Sequence, residues 1–292
     1  MEIPDWPASR PLELDDRQLL DTLFRETMPR VSELTFAGLY LFRAAHDYRL
    51  SRAGESLVVQ GRGYDGRVYA LPPVGGDGAA VCRMLMAAGT ELYGLDEELA
   101  RTVAEEPGVE CREDRDSFDY VYLRHELATL PGNRFHKKKN RISYFSARHR
   151  YEVQLFAPHF RYGCIQLLDE WRRVAEVEGN RSFGLEMDAA ADALSLTEVL
   201  GLEGVVVTVG GRVRAFSLGE RLNGDTAVCH FEKADHFMEG LSQLVNREFA
   251  RLLFTDCRYL NREQDLGEPG LRSAKLSYHP VELVKKFRVR RK

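Results

Sequence analysis

Apolar positions along the first third of the chain alternate between helical and strand-like spacing. Asp15 or Asp16 is set to cap a helix over Arg17 to Glu26, and Pro29 ends it. LTFAGLYLF (34–42), SLVVQ (56–60) and RVYAL (67–71) have the apolar density of strands, with a glycine-bearing turn joining the last two. GGDGAAVCRMLMAAG then leads into a helix, and LDEELARTVAEE makes a second. DYVYLRHEL, residues 119–127, alternates early and closes this half as a strand.

The second half opens on GNRFHKKKNRISYF. On a 3.6-residue wheel Phe135, Ile142 and Phe145 share one face, with Lys137, Arg141, Tyr144 and Arg148 roughly opposite, so 134–149 reads as an amphipathic helix. Lys138 falls inside the apolar arc, where an ammonium is costly unless paired or serving a ligand. Lys138, with Asn140 nearby, is therefore expected to reach inward, and the remaining cations to be solvated. YEVQLF is a short strand, Pro158 begins a helix to about Val177, and another helix runs from Gly184 to Leu200. GVVVTVGGRVRAFSLGERLNGDTAVCHFEKA is three antiparallel strands turned at Gly210-Gly211 and Asn223-Gly224-Asp225. Leu241, Leu244, Val245, Phe249, Leu252 and Leu253 recur at helical spacing, CRYLN is a strand, and VELVKKFRV is the last one.

Each half thus reads helix, strands joined by tight turns, helix, closing strand. Hairpin-linked strands cannot be parallel neighbours, so the pattern predicts two related α+β units, 1–130 and 131–292, rather than one doubly wound sheet. Each would carry a mixed, mainly antiparallel sheet flanked by helices.

A length of 292 residues, with 44% apolar and 29% charged positions, suits a folded chain of two domains. No apolar stretch approaches the ~20 residues of a membrane span, and the acidic, proline-broken start is unlike a signal peptide, so a cytoplasmic protein is expected. Five cysteines without a C-x-x-C pair argue against a disulfide framework or a zinc knuckle. The net charge of −4 hides polarity: Glu91 to Asp119 holds eleven acids against three arginines, whereas Gly132 to Arg150 holds seven cations and no acid. From Gly270 onward there are eight cations against Glu282 alone.

GRGYDG (61–66) matches a dinucleotide-binding fingerprint, but the segment after it is a strand and not a helix, so its glycines shape a hairpin turn. No Walker loop, H-E-x-x-H or G-x-S-x-G occurs. His230 and His236 lie six apart and His279 is remote, and no metal site is expected. In TAVCHFEKA, His230 and Glu232 share a face, as an acid/base pair or as a solvated sheet surface. YLNREQDLGEPGLRSAKLSYHP (259–280) gathers Asn261, Arg262, Glu263, Asp265, Arg272, Lys275, Tyr278 and His279 in a polar loop that either builds a site or caps the surface.

FHKKKNRISYF, LGERLNGDTAVCHFEKA and NREQDLGEPGLRSAKLSYHP together resemble a bacterial family related to the C-terminal domain of phosphatidylglycerol lysyltransferases. That resemblance implies a tandem pair of GNAT-like (acyl-CoA N-acyltransferase) folds, similar also to enzymes that add amino acids from aminoacyl-tRNA to peptidoglycan precursors. It further implies a donor site holding a lysine and an aromatic residue shortly before a proline, here Lys275, Tyr278 and Pro280. The lysyltransferases carry a membrane-embedded half for which this sequence has no counterpart, which weakens the case for a lipid acceptor. The loop EKADHFMEG, where acetyl-CoA-dependent members bind pyrophosphate, carries Glu232, Asp235 and Glu239, which would repel it.

The expectation is therefore a transferase using aminoacyl-tRNA, with acetyl-CoA the weaker donor, no tightly bound cofactor, and a small-molecule or peptide amine, or a hydroxyl, as acceptor. The tRNA acceptor end would lie on the basic surfaces 134–150 and 285–292. Glu232 or His230 would be the base, Lys275 the electrostatic stabiliser and Tyr278 the acid, with Lys138, Asn140, Arg141, Asn261, Arg262 and Arg272 holding the donor and its phosphate. The rivals are a non-catalytic binder of an anionic metabolite or RNA on the same scaffold, and a CoA-dependent N-acetyltransferase.

Overall fold

The structure is a computed structural model that describes residues 2–178 and 181–292. In chain order its strands are β1 (Arg10–Pro11), β2 (Arg49–Ala53), β3 (Ser56–Arg62), β4 (Val68–Ala70), β5 (Glu91–Leu95), β6 (Val109–Glu113), β7 (Asp119–Leu123), β8 (Tyr151–Leu155), β9 (Glu203–Val209), β10 (Arg212–Arg221), β11 (Thr226–Ala234), β12 (Tyr259–Asn261), β13 (Glu282–Val284) and β14 (Phe287–Arg291). They form two seven-stranded sheets, ordered β1-β2-β3-β4-β5-β14-β6 and β13-β7-β12-β11-β10-β9-β8. β4–β5 and β11–β12 pair in parallel, whereas β1–β2, β2–β3, β3–β4, β5–β14, β14–β6, β7–β12, β11–β10, β10–β9 and β9–β8 are antiparallel. Two compact units result, one of Met1–Asp119 with Gln264–Ser273 and Leu283–Lys292, the other of Tyr120–Glu263 with Ala274–Glu282.

In the first unit the helices Gly78–Ala87 and Glu97–Ala104 pack on the sheet over a core of Val58, Ala70, Cys82, Leu85, Leu92, Leu95, Val103 and Val289. The GRGYDG segment is the β3–β4 hairpin turn, closed by Gly63 N–H to the Arg67 carbonyl. LTFAGLYLF is not a strand but the helix Phe36–Leu41. Thr35 caps it, its hydroxyl accepting from Gly38 N–H at 3.0 Å, and Phe36, Ala37, Leu39 and Leu41 are all buried. A run that is apolar on every side carries no period, so the cap, worth about 1 kcal/mol, tips a choice that hydropathy leaves open.

The acidic stretch 91–119 finds its counter-charges at the other end of the chain. β14 inserts between β5 and β6, and there Lys285 meets Glu113 (2.8 Å), Arg288 meets Asp114 (2.5 Å) and Glu91 (3.3 Å), and Arg290 meets Glu110 (2.8 Å). Lys286, wholly buried, bonds Asp119 at 2.7 Å and Glu33 at 2.6 Å. The expected free basic surface at 285–292 is thus corrected: these cations neutralise the unit's own carboxylates. VELVKKFRV accordingly divides into β13 and β14 at the lysine pair, and DYVYLRHEL into β7 and the helix Arg124–Thr129.

In the second unit the meander β9–β10–β11 turns where glycine and Asn-Gly predict. The helix Leu241–Leu252 buries Leu241, Leu244, Val245 and Phe249 against β9, β10 and β11. At about 1.5–3 kcal/mol per buried side chain, that stripe is what holds the helix on the sheet. The basic segment is the helix His136–Arg148, with Phe135, Ile142 and Phe145 buried. Gly240 (φ +93°) lies directly against the Arg141 carbonyl, where a Cβ could not fit. Among the described residues no helix is long and apolar enough to cross a membrane.

Candidate active site

The second unit gathers its polar side chains where β11 and β12 run parallel. β12 stops at Asn261, opposite Val228, whereas β11 continues to Ala234, so Arg262 and Glu263 reach the free flank of β11. A bulge sits here. Leu218 pairs with Phe231 and Gly219 with Cys229, which makes His230 the extra residue of β11. Gly219 is required, because a Cβ there would run into the Val228 carbonyl.

His230 lies between two carboxylates, Nε2 at 2.9 Å from Glu220 and Nδ1 at 2.7 Å from Glu263, with its side chain 1% exposed. Burial alone would favour the neutral ring, but the two hydrogen bonds outweigh it and raise the pKa to about 10. The ring is an imidazolium at neutral pH, donating from both nitrogens, and in that state it has no lone pair with which to act as a base. Glu263 adopts a left-handed φ of +54°. Asn261 Oδ1, accepting from Glu263 N–H at 2.7 Å, and the buried Lys275 ammonium, donating to the carbonyls of Arg262 (2.6 Å) and Glu263 (3.1 Å), hold that turn. Lys275 and Asn261 thereby position Arg262 and Glu263. Tyr122 extends the clamp by donating to the Lys275 carbonyl at 2.8 Å.

Arg262 binds Glu232 through Nη2, 3.1 Å from each carboxylate oxygen, and Glu232 also accepts from Asn246 Nδ2 at 2.9 Å. Burial opposes the arginine's charge, but Glu232 more than restores it and its pKa is raised. The guanidinium carbon lies 5.1 Å from the Tyr278 ring centre and 5.8 Å from that of Tyr122. Lys138 approaches the same Tyr278 ring, its ammonium 3.9 Å from the centre and 2.6 Å from Ser277 Oγ. No carboxylate lies within ion-pair distance of it among the described residues. Burial, then repulsion from Arg262 and Arg141, lowers its pKa to about 8. Burial raises the Tyr278 hydroxyl above the ordinary range.

Lys138, Glu232, His230, Arg262, Lys275, Tyr278 and Asn261 are therefore brought together. Asn140 is exposed on the helix, and Arg141 is exposed but near enough for its charge to act on Lys138 and Tyr278. Arg272 belongs to the first unit and lies on the helix Pro269–Leu276, where the sequence predicts a loop. Its guanidinium bonds Asp265 (2.8 and 2.9 Å) and Asp116 (2.6 Å), so the expected phosphate ligand is instead an ion-pair partner of carboxylates. Sequence reasoning missed Glu220, Asn246 and Tyr122, each set by pairing register or helix phase and marked by no local motif. Among the described residues no cluster of His, Cys, Asp and Glu is arranged to hold a metal ion.

Two mixed, mainly antiparallel sheets flanked by helices make this a tandem GNAT-like fold, and a tandem GNAT protein of clavulanic acid biosynthesis superposes with a TM-score of 0.50 at 11% identity, covering 97% of this chain and 98% of that one. A family model described as phosphatidylglycerol lysyltransferase, C-terminal, matches residues 24–290, and the chain belongs to that family. A conserved protein of unknown function from Bacteroides thetaiotaomicron is 32% identical, with a TM-score of 0.89 over 97% of this chain and 99% of that one. L-PGS from Bacillus licheniformis is similar in fold, with a TM-score of 0.65 and 15% identity over 99% of this chain and 94% of that one. Comparison with curated proteins gives no match.

Proposed function

We propose that this protein is a cytoplasmic transferase that moves an activated aminoacyl group from aminoacyl-tRNA to an amine or hydroxyl acceptor. The observation that carries the reading is the gathering of Lys138 and Arg262 at one tyrosine ring, with the lysine paired to no carboxylate among the described residues and its pKa lowered to about 8. Half-buried cations that repel one another are stabilised by a bound anion, and the terminal phosphates of a tRNA supply one. Membership in a family described as lysyltransferases supports acyl transfer as the chemistry.

In this reading the acceptor N–H or O–H attacks the ester carbonyl. A new C–N or C–O bond forms, the ester bond to the ribose breaks, and the acceptor proton ends on the ribose oxygen. Glu232 takes up the acceptor proton, Arg262 stabilises the tetrahedral oxyanion, Tyr278 protonates the leaving ribose oxygen, and the Glu232 carboxyl then returns its proton to the Tyr278 phenolate, so both residues end as they began. Lys138 and Arg141 hold phosphate, while Lys275 keeps the 261–263 turn in place. The Arg141 carbonyl against Gly240 crowds the start of the helix Leu241–Leu252, where a CoA pyrophosphate would need open backbone N–H groups, and this favours tRNA over acetyl-CoA.

The test is retention of charged tRNA on filters over a salt series, together with transfer of a labelled amino acid to a primary amine. Retention should weaken steeply with salt and fall in Lys138→Ala. Retention that does not respond to salt or to Lys138→Ala, or marked thermal stabilisation by acetyl-CoA, would overturn the reading. A binding-only protein is the second reading, favoured by the full engagement of His230 and Lys275 with their neighbours. Glu232→Gln separates the two: a catalyst loses turnover while tRNA affinity holds, whereas a binder has no turnover to lose.

A further inference from the structure

Two buried polar atoms flank Glu232 without any hydrogen-bond partner: Asn246 Oδ1 and Arg262 Nη1. Neither can be removed by reorienting its side chain. A carboxylate only accepts, so the Asn246 amide must turn its NH₂ toward Glu232, which fixes the oxygen on the side away from that carboxylate. The arginine is likewise fixed, because Nη2 serves both oxygens of Glu232 and the group stands near the Tyr122 and Tyr278 rings. Asn246 is 1% exposed. An unmade hydrogen bond at such depth costs about 1–3 kcal/mol per group, and native structures keep few of them.

Together the orphans are one acceptor and one donor, both tied to a single carboxylate. The group that answers both carries a donor and an acceptor. We infer that Asn246 and Arg262 form a clasp for an α-amino-acyl group, Asn246 Oδ1 accepting from the α-amine N–H and Arg262 Nη1 donating to the acyl carbonyl oxygen. The inference rests on the reading of the site as a transferase site and deepens it, naming Asn246 as the residue that tells an aminoacyl donor from a simple acyl donor. An acetyl or other unsubstituted acyl group has the carbonyl but no amine, and would leave the Asn246 oxygen unanswered. The charge balance also fits: Lys138 and Arg262 against Glu232 disfavour a further cation, so the α-amine is held neutral, and its N–H is then a donor of ordinary strength.

The pair L-alaninamide and propionamide isolates the amine, since they differ in that group alone. Affinities measured by ligand-observed NMR should favour alaninamide about 10-fold or more in the native protein, and Asn246→Leu, which keeps the branched shape without either polar atom, should bring the two within about 2-fold. A change in fold alone would weaken both ligands together and would not alter their ratio. Equal affinities in the native protein, or a ratio that persists in Asn246→Leu, overturns the clasp. Should Asn246→Leu fail to fold, Asn246→Ser and the native ratio decide the matter. If charged tRNA is retained but alaninamide is not preferred, only the clasp is wrong. If alaninamide is preferred but tRNA is not retained, the clasp stands and the tRNA donor falls.

Discussion

The imidazolium of His230 gives the second unit a stability that depends on pH in a way that can be worked out beforehand. Its pKa of about 10 in the folded protein stands against an ordinary value near 6.5. The native state therefore binds the proton more tightly than the unfolded chain, and the added stability is complete below pH 6.5 and is lost as pH rises toward 10. At about 1.36 kcal/mol per pH unit the full window amounts to about 5 kcal/mol, with little screening because the ring is 1% exposed. His230→Gln cannot carry the proton, so it lacks this dependence. Urea unfolding followed by circular dichroism at pH 6, 7.5, 9 and 10 should show the difference between native and variant stability shrinking by about 1.4 kcal/mol per pH unit. NMR of the ring carbon should show the His230 imidazole still protonated at pH 9. A difference that stays flat across the series, or a His230 ring titrating below pH 7.5, would refute the two-carboxylate account.

Lys286→Met removes the buried cation that bridges Glu33 and the fully buried Asp119, and should destabilise the first unit by about 3–5 kcal/mol in chemical denaturation. Gly240→Ala forces a left-handed φ onto a residue whose Cβ meets the Arg141 carbonyl, and a loss of about 2–4 kcal/mol is expected in the same assay. Binding of inorganic phosphate beside Lys138 should raise its pKa from about 8, so calorimetry near pH 8 in buffers of different ionisation heat will show proton uptake that is absent in Lys138→Met. By the same sign, phosphate affinity should decline as pH climbs past 8.

How much of this could be read from the sequence depends on how far apart the determinants lie. The basic helix, Lys138 on its apolar arc and the glycine turns of the meander are local, and 3.6- and 2-residue periods expose them. Crowding of polar residues over 259–280 marked the place where Arg262, Lys275 and Tyr278 converge. Roles were less legible than positions. His230 has the look of a base until Glu220 and Glu263, ten and thirty-three residues away, close on both of its nitrogens. Arg272 has the look of a phosphate ligand until Asp116, 156 residues distant, takes its guanidinium. In both cases one carboxylate lies too far along the chain for a window to hold it, and the nearer ones, Glu220 and Asp265, meet their partners only through the fold, Glu220 by the β10–β11 register. The Phe36–Leu41 helix escaped for a different reason, since full burial erases amphipathic signal.

The seat of β14 between β5 and β6 bears on how the polypeptide is made. The sheet that begins with residue 10 has a missing interior rung until residue 291 has left the ribosome, and β5 and β6 wait with open edges for the whole of the intervening synthesis. Both units draw on the end of the chain, the second on Ala274–Glu282 and the first on Leu283–Lys292, so neither is complete until almost all of it has been made. A premature stop upstream of residue 285 would release a chain whose oldest part had never closed.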